Sequence, residues 1–373
     1  MFKKALALVA GLLVTLAAYA AGAQLRADHP STYVVKKGDT LWGISARFLK
    51  KPWLWPEIWD VNQQVYNPHL IYPGDVLQLG VDNRLHVAER APEQANPIPT
   101  IPLDRIEPFL HDMRVMSSAE LAQTPYVVAV EEGQPRAVEG QMLYVRQSSA
   151  APGQRFALAR PSHVYRVSKG QRPYPYEVGH LLDSNVGVVH GPWDEDARND
   201  NMWGNGQEIG TEVEIIGAVQ VLKAGDPATV LLTNAKMEIR EGDRLLPVND
   251  APYDPTFYPH PAHSIPPYGR VIAFTNGMDS NSNEGPMSVV ALSAGSADGV
   301  DNGTTFSIFH PGDEITDDVA GDSRKRSFGP HVQLPAEFIG HVMVFRTFEH
   351  VSYGLVMDGI KPVQMGDELQ IPE

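Results

Sequence analysis

The sequence predicts an α+β protein in which a small βααβ module precedes a predominantly β region of two related subdomains. Three observations predict this division. Residues 31–80 combine strand-like and helix-like apolar spacing, residues 81–104 are rich in proline, and the remainder consists of short β-branched and aromatic runs separated by Gly, Pro, Asn and Asp. We therefore expect the module at 31–80, a semi-stiff linker at 81–104, and β-rich subdomains at 105–250 and 265–373.

The first 23 residues have the composition of a secretory signal peptide. Lys3 and Lys4 precede an apolar run over residues 5–18, and small residues follow as far as Ala23. Cleavage is expected at Ala20 or Ala23. The alternative, an uncleaved membrane anchor, stays open, although the run falls slightly short of the ~20 residues that a spanning helix needs.

The composition restricts both the stabilising chemistry and the partners. The chain has no cysteine, so it depends on packed cores rather than on disulfides even in an oxidising compartment. Its formal charge is −15, and loss of Lys3 and Lys4 would make it −17. This acidic balance argues against nucleic acid, and against anionic lipid, as a partner.

The module begins with a strand at residues 33–35 and a tight turn. Gly38 supplies a permissive backbone, and Asp39 is predicted to N-cap a helix that begins at Thr40. The apolar face of this helix consists of Leu41, Ile44 and Phe48. A second helix is predicted over about residues 53–62, and its apolar face consists of Trp55, Ile58 and Trp59.

Four of the six tryptophans in the chain lie in this module. A unit of roughly 50 residues without disulfides needs large apolar side chains to form a core. Aromatic rings also stack on the C–H faces of sugars. We predict Trp55 and Trp59 as core residues, and for Trp42 and Trp53 core packing and sugar stacking both stay open.

Four sequence phrases of the module follow one another in a recognisable order. They are YVV at 33–35, GDTL at 38–41, NP at 67–68 and IYPGD at 71–75 before a closing strand. In this order they resemble a LysM module. The resemblance implies a βααβ fold that binds N-acetylglucosamine polymers, chiefly peptidoglycan. One departure is the insert at residues 49–56, which lengthens the connection between the helices relative to shorter members.

The resemblance also implies a binding site. In LysM modules the glycan lies in a shallow groove between the loop from the first strand to the first helix and the loop from the second helix to the second strand. Backbone N–H and C=O groups there contact the N-acetyl amide. The matching positions in this sequence are Gly38, Asp39, Thr40, Leu41, Trp42, Pro68, His69, Leu70, Ile71 and Tyr72.

Beyond the linker, a diverged repeat predicts two related β-subdomains. Residues 214–221 resemble residues 337–344, and both copies end in Gly-Asp-x-Leu, at 242–245 and 366–369. From Gly217 to Gly242 there are 25 residues, and from Gly340 to Gly366 there are 26. The alternative, two hairpins that share a common turn chemistry, stays open. One short helix is predicted at about residues 106–113.

No motif predicts catalysis, a metal or a cofactor. The absence of cysteine excludes cysteine-dependent wall peptidases and L,D-transpeptidases. There is no H-x-H or H-E-x-x-H zinc motif, and His260 and His263 are interpreted as a chance pair. The acidic stretch that begins at Asp279 lacks the glycine and the final glutamate of a calcium loop. We therefore predict a non-enzymatic protein.

The order of module, linker and β-region resembles the TsaP-type secretin-associated proteins of type IV pilus systems, whose C-terminal part is FlgT-like. The phrase EIREGDRLLP at 238–247 contributes to this resemblance. It implies a periplasmic, outer-membrane-associated protein that anchors a secretin to peptidoglycan and forms a homo-oligomeric ring. Two alternatives stay open: a wall-binding component of another envelope machine, flagellar or secretory, and a peptidoglycan hydrolase or hydrolase activator.

Overall fold

A computed structural model describes the following residues: 23–59, 71–89, 99–102, 106–107, 109–110, 112–131, 137–168, 186–190, 206–248, 257–266, 269–274, 285–312, 314–317 and 330–372. The chain divides into two compact units. The first unit combines residues 1–104 with 254–261, and the second combines 105–253 with 262–373. The expected signal peptide, apart from Ala23, lies outside the described residues.

The helices and strands are named in chain order. They are β1 Thr32–Val34, α1 Leu41–Phe48, α2 Trp55–Trp59, β2 Val76–Leu79, β3 Leu85–Glu89, β4 Met113–Met116, α3 Ser118–Gln123, β5 Tyr126–Val130, β6 Met142–Arg146, β7 Arg155–Ser168, β8 Val186–His190, β9 Gly206–Lys223, β10 Ala228–Ala235, β11 Arg244–Pro247, β12 His260–Pro261, β13 Val271–Phe274, β14 Val289–Leu292, β15 Thr304–His310, β16 Glu314–Thr316, β17 His331–Gln333, β18 Glu337–Thr347, β19 Ser352–Gly359 and β20 Glu368–Gln370. Single 3-10 turns occur at Pro52–Leu54 and Ser296–Asp298.

The first unit contains the predicted βααβ module. Strands β1 and β2 pair antiparallel, and α1 and α2 pack against them through one apolar core. The fully or nearly buried members of that core are Val35, Leu41, Ile44, Phe48, Leu49, Trp55, Ile58, Trp59, Ile71, Leu77 and Leu85. The module therefore stabilises itself through large side chains, as its small size and lack of disulfides require.

Three further pieces of chain extend the first unit beyond the predicted 31–80. Strand β3, within the interval expected as a linker, pairs antiparallel with β2. On the N-terminal side, Leu25 forms a β-bridge with Leu49, and the Ala23 N–H donates to a Glu57 carboxylate oxygen at 2.9 Å. Residues 99–102 also contact the module. Within the 81–104 interval, residues 90–98 and 103–104 lie outside the described residues.

In the second unit, six strands close into a ring. The strand order β9-β10-β6-β5-β11-β7 is completed by pairing of β7 with β9. The ring encloses a core of aliphatic side chains that includes Leu143, Val145, Leu158, Val219 and Leu232. Antiparallel closure leaves no free sheet edge among these six strands.

A second set of six strands in this unit is paired in the same order as the first. The path β15-β18-β19-β14-β13 is joined at one end by β20, which pairs with β15. A single β-bridge between Glu368 and Arg270 connects β20 to the start of β13. In the first ring the corresponding strands, β11 and β5, are likewise joined by one residue pair, Arg244 and Tyr126. In both rings the hairpin at the corresponding position, β9–β10 and β18–β19, has a bulge, at Thr233 and at Met357.

A buried carboxylate joins the two rings. Glu212 of β9 is 5% exposed and accepts hydrogen bonds from Tyr165 Oη of the first ring and Tyr353 Oη of the second, each at 2.6 Å. Ser162 Oγ donates to its other oxygen at 2.7 Å. Because a buried carboxylate is costly unless it is hydrogen-bonded, these hydroxyl groups make the joint specific to this arrangement.

The helix expected over residues 106–113 ends earlier than predicted. Ile106, Glu107, Phe109 and Leu110 have helical backbone, whereas Met113 begins β4. The Phe109 ring packs against Phe345 and Tyr353 of the second ring. Among the described residues, no helix has the length and apolar character that crossing a membrane requires.

Candidate functional site

A glycine and an aspartate determine the conformation of the loop from β1 to α1. Gly38 has a φ of +91°, and a Cβ placed there would meet no described atom within 4 Å. Asp39 does not N-cap the helix, contrary to the prediction. Its carboxylate instead accepts from the Lys36 N–H at 2.7 Å and from Tyr33 Oη at 2.9 Å, which closes the turn.

Helix α1 begins one residue later than predicted. Thr40 is the N-cap, and its Oγ1 accepts from the Gly43 N–H at 3.1 Å. The Leu41 and Trp42 side chains are each 3% exposed, so both face the core. The side chains of these two residues are therefore not accessible to a ligand.

The Leu41 and Trp42 N–H groups are already hydrogen-bonded within the chain. The Leu41 N–H donates to Pro99 O at 3.1 Å, and the Trp42 N–H donates to Thr100 O at 3.3 Å. Thr100 is 1% exposed and Ile101 is fully buried. Residues 99–102, which we call the strap, thus cover the start of α1.

The second predicted side of the groove is described only in part. Pro68, His69 and Leu70 lie outside the described residues. Ile71 is fully buried and Tyr72 is 6% exposed. The Tyr72 N–H donates to Asp75 Oδ2 at 3.1 Å in the turn before β2, so this turn is ordered by its own aspartate.

All four tryptophans of the module are buried. Trp55 and Trp59, predicted as core residues, are 2% and 6% exposed, and Trp42 and Trp53 are 3% and 4% exposed. The Trp42 and Trp53 rings are tilted against each other, 6.4 Å apart. For these two residues the structure favours core packing over sugar stacking, which requires an accessible ring face.

An aromatic residue from far along the chain also belongs to this unit. The Tyr258 ring is stacked on Trp55 with its centroid 6.3 Å away, and Tyr258 is 51% exposed. No role for Tyr258 was predicted from the sequence. Its only signal there is its place in a stretch rich in Pro, Tyr and His, because no local pattern connects it with a tryptophan some 200 residues earlier.

The Tyr33 side chain contacts both an aspartate and an arginine. Burial raises the pKa of Tyr33, and the hydrogen bond to Asp39 adds to this effect. The Arg47 guanidinium lies over the Tyr33 ring, 5.0 Å from its centroid. Burial and Asp39 therefore favour the protonated hydroxyl that donation to Asp39 requires, whereas the Arg47 charge lowers the pKa of Tyr33.

Within the described part of the chain, no group of three or more His, Asp or Glu side chains is placed to hold a metal ion. His260 bonds the backbone: its Nδ1 lies 3.0 Å from Tyr258 O. What the start of α1 offers chemically is backbone: an exposed glycine at a positive φ, and the Leu41 and Trp42 N–H groups, which are bonded to carbonyl oxygens of the strap.

Comparison with known proteins identifies the module. Residues 33–80 match the LysM domain family. A Bacillus subtilis protein described as uncharacterized, YqbP, is 38% identical over 60 residues, which cover 13% of this chain and 27% of that protein. The match covers a small part of either protein and leaves most of both uncompared. Residues 33–80 of this chain are a LysM domain, a binding domain whose presence implies recognition of peptidoglycan or chitin-type glycans.

Proposed function

We propose that this protein is a non-enzymatic tether that anchors an outer-membrane secretin of a type IV pilus system to peptidoglycan. The observation that carries the glycan half is the LysM domain at residues 33–80. Support for the secretin half comes from the layout in which this domain is joined to a large, separately compact β unit. The first half has the stronger support, and the two halves have separate tests.

The glycan is proposed to contact the backbone of the loop at 38–42. This loop carries an exposed glycine at a positive φ, and its aspartate is turned inward toward Lys36 and Tyr33. Polar backbone next to small residues suits an N-acetyl group, which needs one donor, one acceptor and space for a methyl group. An individual groove of this kind binds with roughly micromolar to millimolar affinity, and a ring of copies would gain avidity.

Glycan binding is tested by sedimentation of the full-length protein with insoluble peptidoglycan. Gly38→Gln places a side chain over the loop and is expected to lower the pelleted fraction about tenfold. The matched control is Gly140→Gln in the second unit. Gly140 has a φ of +90° and, like Gly38, no described atom within 4 Å of a Cβ placed on it, so both variants carry the same backbone strain.

Equal sedimentation of the two glutamine variants would contradict the proposed groove. Release of soluble fragments from the wall preparation would instead indicate a hydrolase. If insoluble chitin pellets the protein as efficiently as peptidoglycan does, the protein recognises the glycan backbone rather than the peptide stems.

The secretin half is tested by co-purification. The tagged full-length protein is expected to carry an outer-membrane secretin out of detergent-solubilised envelopes, and Gly38→Gln is expected to retain it because the substitution lies in the first unit. Recovery of a flagellar or secretion-system component in place of the pilus secretin would redirect the proposal to that machine. N-terminal sequencing of the exported protein, beginning at Ala21 or Gln24, tests the proposed periplasmic location.

The two rings of the second unit are proposed to be related copies of one ancestral unit. Support comes from their common strand order, from the hairpin bulges at Thr233 and Met357, and from the closing turns. In those turns the Gly242 N–H donates to Val127 O and the Gly366 N–H to Val271 O, at 2.6 and 2.8 Å. Such a duplication would give the β unit two similar surfaces for repeated contacts in an assembly.

A further inference from the structure

The start of α1 is a natural place for a ligand because the first N–H groups of a helix have no partner within the helix. In this protein the first three are all taken. The Leu41 N–H donates to Pro99 O, the Trp42 N–H to Thr100 O, and the Gly43 N–H to Thr40 Oγ1. Two of the three acceptors are carbonyl groups of the strap, which lies more than 50 residues further along the chain.

The strap is buried at its centre as well as hydrogen-bonded to the domain. Thr100 and Ile101 are 1% and 0% exposed, whereas the flanking Pro99 and Pro102 are half-buried. Proline fixes the backbone φ and has no N–H group. The strap therefore presents carbonyl oxygens in a restricted backbone conformation, and these oxygens match the donors of the loop.

We propose that the strap is an internal competitor of the glycan: residues 99–102 occupy the α1 side of the LysM groove and lift when the sugar binds. The inference rests on the proposed glycan binding. A ligand N-acetyl oxygen and the strap carbonyls would use the same Leu41 and Trp42 N–H groups. Each N–H cannot serve both acceptors at full strength. The apparent affinity is therefore the intrinsic affinity multiplied by the fraction of molecules in which the strap is open.

Affinity measurements with a soluble N-acetylglucosamine tetramer test this competition on the full-length protein. Ile101→Asp places a charge in a buried position and is expected to release the strap, because an unpaired buried charge is strongly disfavoured. The expected result is about tenfold tighter binding. Ile101→Ala, which removes only part of the buried side chain, is expected to give a smaller gain. The matched control is Val81→Ala, because Val81 is fully exposed in the same unit.

Strap opening is measured without reference to affinity. The chain has no cysteine, so Thr100→Cys introduces a single thiol at a position that is 1% exposed. We expect slow reaction with a maleimide in the free protein and a rate about tenfold higher at saturating tetramer. Amide hydrogen exchange at Leu41 and Trp42 is expected to be faster in Ile101→Asp and unchanged in Val81→Ala.

The outcomes separate the strap from the proposed glycan binding. Equal affinity of wild type and the Ile101 variants, or tetramer that binds but does not accelerate thiol labelling, overturns the strap and leaves glycan binding intact. Absence of tetramer binding in every variant, with the Leu41 and Trp42 amides released in Ile101→Asp, overturns glycan binding and the competition together. Unchanged amide protection in both Ile101 variants also overturns the strap. Near-ultraviolet circular dichroism of the buried tryptophans verifies that each variant is folded.

Discussion

In the first ring of the second unit the buried carboxylate of Asp243 lies against Arg160, whereas in the second ring the corresponding carboxylate of Asp367 lies against His310. The backbone around the two residues is the same. Each follows a glycine of positive φ, +88° at Gly242 and +92° at Gly366. Each accepts from the N–H three residues earlier, at 2.7 Å from Arg240 and 2.8 Å from Gln364.

The comparison separates two levels of cause. The Gly-Asp pair determines the turn, because only glycine adopts the positive φ readily and only a short carboxylate reaches back to its own turn. The partner of the remaining carboxylate oxygen comes from a distant strand, β7 or β15. The LysM domain contains the same turn a third time, where Asp75 accepts from the Tyr72 N–H.

The largest expected loss of stability follows removal of the Asp243 carboxylate, the charge partner of Arg160. Asp243→Ala removes both hydrogen bonds from Arg160, each 2.8 Å long, and leaves a guanidinium that is only 14% exposed without its carboxylate. We expect the free energy of unfolding to fall by about 3–5 kcal/mol. Asp367→Ala is expected to cost about 1–3 kcal/mol, because His310 is 36% exposed and loses its charge on deprotonation.

Urea denaturation of the full-length protein, followed by far-ultraviolet circular dichroism, measures this pair of variants. A loss for Asp367→Ala as large as that for Asp243→Ala would contradict the idea that the partner decides the cost. The Arg160→Ala and Asp243→Ala double-mutant cycle then isolates the interaction between the two side chains.

The next largest effect is expected at alkaline pH, where the two rings share one carboxylate. Burial raises the pKa of Tyr165 and of Tyr353 well above the ordinary value of 10.0, and the charge of Glu212 adds to the shift in both. Because the folded pKa is raised, the stabilisation is complete below the unfolded pKa of 10 and is lost as the pH rises toward the folded pKa. The expected slope is about 1.4 kcal/mol per pH unit for each tyrosine.

The stability of the protein measured from pH 9 to 12 provides the test. Tyr165→Phe and Tyr353→Phe should each remove about half of the slope. If Tyr353→Phe leaves the slope unchanged, the second ring does not contribute a protonated phenol to the joint.

A smaller effect is expected at Gly217 and Gly340, which pair with residues two positions away from the bulges. A Cβ on Gly217 would lie 2.5 Å from Asn234 O, and one on Gly340 would lie closer still to Asp358 O. Since both obstacles are backbone, alanine at either position should cost about 1–3 kcal/mol. We expect Gly340→Ala to be the more destabilising variant in thermal denaturation, and the reverse order would show that the bulges differ more than their pairing indicates.

The smallest effect isolates the turn itself. Gly366→Ala should cost about 1–2 kcal/mol, because alanine adopts a positive φ with difficulty while its Cβ would meet no described atom within 4 Å. Gly285→Ala is the matched control: that site is also open among the described residues, but its φ is not in the left-handed region. If the two turns are equivalent, Gly242→Ala should lower the free energy of unfolding as much as Gly366→Ala does, as measured by urea denaturation.

The LysM domain was predictable because its signals are local. The phrases around Gly38 and Gly74 determine two turns, and the stripe of Leu41, Ile44 and Phe48 determines one buried helix face. The predicted βααβ order and the predominance of strands beyond it are both confirmed. Secretin anchoring, the ring assembly and the relation between the two β-subdomains remain predictions.

Errors arose where two local signals competed. Asp39 and Thr40 are both good N-caps, and Asp39 was the residue predicted. The nearby Lys36 N–H and Tyr33 hydroxyl take the Asp39 carboxylate, so Thr40 caps α1 instead. Proline in the 81–104 interval similarly concealed β3, whose apolar Leu85 is buried in the core of the domain.

The sequence by itself determined the turns, the helix faces and the alternating strands, because each depends on residues within a few positions of one another. Only the tertiary structure decided which groups lie opposite them: Arg160 against Asp243, Tyr353 against Glu212, and the strap against Leu41 and Trp42. These partners are separated by tens of residues or more, and they meet because closed rings and buried cores bring distant backbone together. No local sequence pattern predicts these contacts, since a buried charge or N–H group pairs with whichever complementary group the packing supplies.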